Sequence, residues 1–135
     1  MLELTPLIIL IDTNVIYHAQ EYKINIINKL DLLLNKKYKV VVHPCVESEI
    51  IDDLTAHNKN KLLAKFGIQY ISNFESFNDP NQYNGTDIAL LNTAKQVNGI
   101  VLTFDKILKQ RCLKEGVAVI TNTKSRNLQI FGYTE

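Results

Sequence analysis

Four acidic residues, Asp12, Glu49, Asp87 and Asp105, have the type and placement to do chemistry. Each falls where a helix is expected to begin, or in its first turns. Three come directly after, or a few residues after, an apolar run that reads as a buried strand. Carboxylates gathered at one end of a sheet repel. Two like charges ~4 Å apart cost on the order of 4 kcal/mol at an effective dielectric of 20. Protons or a cation must relieve that cost, and one or two Mg²⁺ or Mn²⁺ ions suit an oxygen-only ligand set. Such a cluster points to metal-dependent hydrolysis, with nucleic acid as the expected substrate.

Taken singly, each acid has a plainer reading. Asp12 and Asp105 suit helix N-caps, Asp87 suits the positive end of a helix dipole, and Glu49 suits a solvated helix face. Their shared position argues for more, because ligands of open α/β sheets bind outside the carboxyl ends of the strands. Glu47 competes with Glu49 for its place. Asp53 lies four residues past Glu49 on the same helical face and is expected to be exposed. Asn14 and Thr103 stand beside Asp12 and Asp105, where they could orient a carboxylate or a metal-bound water. Local capping is an equal alternative for both.

The elements that must position these residues alternate between strand and helix. Leu7–Ile11 is a continuous branched apolar run, which signals burial on both faces of a parallel sheet. A helical pattern follows from Val15 to Leu34, with an interruption expected at Glu21–Lys23. Tyr38–Val42 is the second strand, and Pro44 suits the first turn of the helix carrying Val46, Ile50 and Leu54. A basic helix is expected over 56–66, stopped by Gly67, with a third strand at Ile68–Ile71. The stretch Asn73–Gly85 reads as a loop. A helix then opens at Thr86–Asp87 and closes at Asn98–Gly99. Ile100–Thr103 is the fourth strand, Asp105 starts another helix, and Val117–Ile120 is the fifth strand. Leu128–Ile130 is a candidate terminal strand. This alternation predicts βαβ units and a parallel sheet covered on both sides, in one domain spanning 1–135.

Composition narrows the class. The chain has 135 residues, 46% of them hydrophobic, enough for a real core and too apolar for disorder. The net charge is only +1, so bulk charge does not mark a nucleic-acid binder and any such surface must be local. Lys106, Lys109 and Arg111 follow Asp105, and Lys124 and Arg126 follow the fifth strand. Lys106, Lys109 and Arg126 are the candidates for binding a phosphate backbone. Lys59, Lys61 and Lys65 read as a solvated helix face. Tyr83 could stack on bases, and Tyr70 fits the core better. Cys45 and Cys112 form no CxxC pair, which excludes a zinc ribbon, and are expected as free thiols in a reducing cytoplasm. His18, His43 and His57 are expected to be structural or exposed. The apolar run at Leu7 is too short for a signal peptide or a membrane span.

The motifs resemble those of the PIN-domain ribonucleases, a family of VapC-like toxins and rRNA-processing nucleases. Ile11-Asp12-Thr13-Asn14 is similar to their opening motif and Pro44–Ile50 to the second, with Glu49 in the acidic place. Thr86–Leu90 followed by Ala94 is similar to the third. Thr103-Phe104-Asp105-Lys106 is similar to the fourth. The resemblance spans Leu7 to Ile130. It implies a three-layer α/β/α sandwich with a five-stranded parallel sheet in the order 3-2-1-4-5. It also implies Mg²⁺- or Mn²⁺-dependent cleavage of RNA. The expected arrangement has one or two ions, with Asp12 as central ligand, Asp87 and Asp105 completing the cluster, and Glu49 holding a second ion directly or through water. A small antitoxin partner and a homodimer come with it as options. Two positions depart from the family: Ile88 stands where a second acid is common, and Phe104 where Asn is common.

Other classes fit less well. A haloacid-dehalogenase phosphatase would want an acid at Asn14. A response-regulator receiver would want one at Asn73. A catalytically silent PIN fold that binds RNA or protein is the alternative, although none of the core acids is missing.

Overall fold

The apolar run of β1 (Leu7–Ile11) ends in Ile9, Leu10 and Ile11, all fully buried, so both faces of this strand are covered. The computed structural model describes residues 5–56, 58–124 and 126–133. Its elements run β1, α1 (Thr13–Tyr22), α2 (Ile26–Leu33), β2 (Tyr38–Val42), α3 (Pro44–Thr55), α4 (Lys61–Ile71) and β3 (Glu75–Ser76). They continue with α5 (Thr86–Val97), β4 (Ile100–Leu102), α6 (Lys106–Lys114), β5 (Ala118–Asn122) and β6 (Leu128–Phe131). His57 lies outside the described residues.

The sheet order is β3-β2-β1-β4-β5-β6. The first five strands are parallel, and β6 pairs antiparallel with β5. The order 3-2-1-4-5 is therefore present, with a sixth strand added at one edge. The expected break in the first helical stretch falls at Lys23, whose φ of 53° ends α1 before Asn25 caps α2.

The third strand is not where the sequence suggested. Ile68–Ile71 is the last turn of α4, and Gly67 lies inside that helix rather than stopping it. A short apolar run does not distinguish a strand from a buried helix face. Gly67 and Ala64 are the residues that α4 buries, and a Cβ on Gly67 would sit 3.5 Å from Ile16 and 3.7 Å from Ile50. The small residues let α4 lie close against α1 and α3. The true β3 is the exposed polar pair Glu75–Ser76, inside the stretch read as loop. It pairs with Val41 and Val42, and Glu75 meets Lys39 of β2 at 3.2 Å. Such a strand rests on backbone pairing and polar side-chain contacts, and leaves no hydrophobic pattern to read.

Candidate active site

Asp12 is the first residue past β1 and the N-cap of α1, and only 6% of it is exposed. Its amide continues the ladder to β4 by donating to the Leu102 carbonyl at 2.9 Å. Its Oδ1 accepts from the Thr13 amide at 2.8 Å. Its Oδ2 accepts from the Thr103 hydroxyl at 2.7 Å and from the Asn14 side-chain amide at 3.3 Å. The Thr103 hydroxyl in turn accepts from the Asp105 amide at 3.1 Å, and Asn14 Oδ1 accepts from the Phe104 amide at 3.1 Å. Asn14 and Thr103 thus bind the ends of β1 and β4 together around one carboxylate.

The other acids reach the same end of the sheet from different elements. Asp105 caps α6, and its Oδ1 accepts from the amides of Ile107 at 2.8 Å and Leu108 at 3.4 Å. Asp87 lies half-buried in the first turn of α5. Glu49 is exposed on α3, and its carboxylate accepts from the Thr86 hydroxyl at 2.7 Å, next to Asp87 in the chain. Glu47 turns away, accepting from Ser76 of β3 at 3.1 Å, which leaves Glu49 as the acid of α3 nearest the others.

The charges feel one another. Burial pushes the Asp12 carboxyl up to about 6, against the pull of its bonds to Thr103 and Thr13; the charges of Asp87 and Glu49 push it further the same way. Asp87 is raised by burial and by Asp105, with Arg111 opposing. Burial first, then Asp87, Glu115 and Asp12, push the Cys112 thiol up to about 12, so this free thiol is inert. Among the described residues, no three His, Cys, Asp or Glu side chains stand close enough to grip a metal ion as they are. The donor set nevertheless fits a hard divalent cation in kind. It is all oxygen, and its central member is buried and held against its own charge.

Some residues behave differently from their sequence reading. Asp53 is not an idle surface acid: it accepts from the Tyr17 hydroxyl at 2.6 Å and from Asn58 at 3.2 Å. Lys109 places its ammonium 3.7 Å from the ring centroid of Phe131, on β6. Lys106 and Arg126 are exposed. The Tyr83 ring packs edge-on against His43, with its hydroxyl buried.

Sequence reasoning missed a second acid with a buried side chain, Asp79. His43 caps α3 with Nδ1, which accepts from the Cys45 amide at 3.0 Å. That bond leaves the proton on Nε2, which donates to Asp79 at 2.8 Å. The two side chains are 1% and 3% exposed. Thr93 of α5 donates to the same Asp79 oxygen at 3.3 Å. The pair ties the end of β2 to the loop leading into α5, and so sets where Thr86 and Asp87 begin. His43-Pro44 at a strand end was a usable signal for the cap, but its partner is 36 residues away, beyond any local pattern.

Comparison with known proteins agrees with this architecture. The model of the PIN-like domain family matches residues 9–124. Ribonuclease VapC4 of Methanocaldococcus jannaschii is 29% identical over 125 residues, covering 90% of this chain and 94% of that protein. The structure of the PIN domain endonuclease Utp24 superposes with a TM-score of 0.77 at 22% identity, covering 96% of this chain and 95% of the other. A domain of a functionally unknown protein from Methanocaldococcus jannaschii matches with a TM-score of 0.66 at 17% identity, covering 86% and 91%. The fold, the order of the strands and the span of the matching model lead to one conclusion: this chain belongs to the PIN-like domain family.

Proposed function

We propose that this protein is a divalent-metal-dependent endoribonuclease that hydrolyses RNA phosphodiester bonds at the cluster of Asp12, Glu49, Asp87 and Asp105. The observation that carries this reading is the buried Asp12 carboxylate, raised to about 6 and facing the charges of Asp87 and Glu49 at the carboxyl end of the sheet. The relative named Ribonuclease VapC4 supports RNA as the substrate. A bound Mg²⁺ or Mn²⁺ would supply positive charge to the phosphate and lower the pKa of a water molecule for attack.

The chain's own residues supply the rest. Thr103 and Asn14 fix the Asp12 carboxylate in one orientation. Thr86 holds Glu49 at the start of α5. Asp105 spends Oδ1 on the amides of its own helix, so Oδ2 is the oxygen it would offer to a metal ion. Asp12, Asp87 and Asp105 would hold one ion, and Glu49 a second. Lys106 and Arg126 would contact the RNA backbone.

Of the two roles open to such an enzyme, a toxin held by a small antitoxin protein is favoured over rRNA processing. The sequence match runs over nearly the whole of VapC4. A homodimer and a cytoplasmic site of action belong to this reading. Among the described residues no helix is long and apolar enough to cross a membrane.

The test is incubation of a labelled structured RNA with the protein, with and without Mn²⁺, beside the Asp12→Asn variant. Cleavage is expected only from the wild-type protein with metal. Equal cleavage by the variant would refute the assignment. Metal binding without cleavage of any RNA would favour the silent binding module.

A further inference from the structure

Beside the acids lies a cavity of about 240 Å³, of whose lining residues only Arg126 has a part in the proposed reaction. It opens where the ends of β4 and β5 meet the second turn of α1. His18 stands one turn beyond Asn14 on α1, and Phe104 lies between Thr103 and Asp105. The His18 ring meets Phe104 edge-on at 5.0 Å and Tyr22 at 4.5 Å, so three aromatic rings line one wall. Asn122, at the end of β5, is among the lining residues; its Oδ1 accepts from the Thr121 hydroxyl at 3.5 Å, and its side-chain amide also carries two donors. Lys29 and Arg126 add positive charge to a lining that also includes Thr123 and the aliphatic Ile24, Ile26 and Leu128, and no acid contributes to it. Neither cation is in a salt bridge among the described residues.

We infer that this cavity receives one nucleobase of the RNA, next to the phosphate held at the acids. The inference rests on the RNA-cleaving reading. Three features favour a base. The volume suits a single planar heterocycle and falls below the ~300–1,000 Å³ of drug-sized pockets. The aromatic wall offers a stacking platform, and Asn122 offers polar atoms to a base edge. Lys29 and Arg126 carry the charge a flanking phosphate requires, while the cluster itself carries the opposite charge. Phe104 is central to this. Its amide is fixed by Asn14, it is next to Asp105 in the chain, and it lines the cavity edge-on to His18.

The test reads binding apart from cleavage. A short single-stranded RNA is titrated by fluorescence anisotropy without divalent metal, together with versions carrying one abasic nucleotide at successive positions. The proteins are wild type, His18→Ala, Tyr22→Ala and Tyr22→Phe, each checked for an unchanged melting transition. One abasic position is expected to weaken wild-type binding by about 5- to 150-fold, the range that loss of one stacked base gives. His18→Ala and Tyr22→Ala should weaken binding of the parent RNA similarly, and add little when the abasic RNA is used. Tyr22→Phe should bind as the wild type does. Equal effects at every abasic position, or alanine variants that bind the parent RNA like wild type, would overturn the pocket. Position-specific binding with no cleavage in Mn²⁺ would leave the pocket standing and remove the nuclease. Cleavage without position-specific binding would do the reverse.

Discussion

The hydroxyl of Thr103 donates a 2.7 Å hydrogen bond to Oδ2 of Asp12, joining residues 91 positions apart at the ends of adjacent strands. It is the strongest of the bonds holding the Asp12 carboxyl below the value that burial alone would give. Thr103→Val keeps the shape and removes the donor. Loss of a buried bond to a charged group costs about 1.5–3 kcal/mol at neutral pH, where the carboxylate is ionised. Asp12 should then titrate above about 6. Denaturant unfolding and a pH–rate profile check both effects, and Thr103→Ser should restore them.

Asp12 itself destabilises the metal-free fold. Its folded pKa of about 6 exceeds the ordinary value of 3.8, so the folded state holds its proton more tightly than the unfolded chain. The stabilisation is full below pH 3.8 and is lost as pH rises through about 6. The difference corresponds to about 3 kcal/mol. Asp12→Asn should therefore be more stable than wild type at pH 7 without metal, by up to about that amount. The two proteins should converge near pH 4. A variant less stable than wild type at pH 7 would show that the carboxylate is not under strain.

Divalent metal should offset most of this difference. An ion that binds only the folded state stabilises it by about 2.7 kcal/mol at a hundredfold excess over its dissociation constant. Mn²⁺ should raise the melting temperature of wild type by several degrees and leave that of Asp12→Asn unchanged. Differential scanning calorimetry with and without a chelator measures it.

The His43–Asp79 pair calls for a different measurement. Its bond to His43, above all, holds the Asp79 carboxyl down to about 2. A depressed acid stabilises the fold above the ordinary 3.8, and that contribution disappears as pH falls through about 2. Asp79→Ala should flatten this acid limb. It also strands the buried Nε2–H of His43, a loss of about 1–3 kcal/mol. Because the pair fixes the approach to α5, cleavage should fall as well, although neither residue belongs to the four-acid cluster.

Lys106 and Arg126 separate backbone contact from solvated charge. If each meets one phosphate, single alanine substitutions should each lower the slope of log affinity against log salt by about 0.7 on single-stranded RNA. Lys109→Ala should leave the slope alone, because its ammonium is spent on Phe131.

Much of this was written locally in the chain. The continuous run Leu7–Ile11, Pro44 at a helix start, Asn98 at a helix end and Asp105 at a cap each identify their element by a rule that acts over a few residues. What escaped depends on partners far away. Gly67 looks like a stop until Ile16 and Ile50 are known to face it. Glu75–Ser76 becomes a strand only because β2 offers an open edge. Asp79 is an ordinary loop acid until His43 arrives from 36 residues upstream. The acids of the site were nameable one by one, whereas the bonds orienting them, such as Thr86 to Glu49, were not.

The central position of β1 governs how the site comes into being. β1 takes β2 on one side and β4 on the other. Asp12 and Glu49 belong to the portion of the chain made first, Asp87 and Asp105 to the portion made later. A ribosome-bound chain therefore carries only half of its negative pole until β4 slots in beside β1. The proposed active centre is thus split between the two halves of the polypeptide, and its second pair of acids is made only after the first three strands.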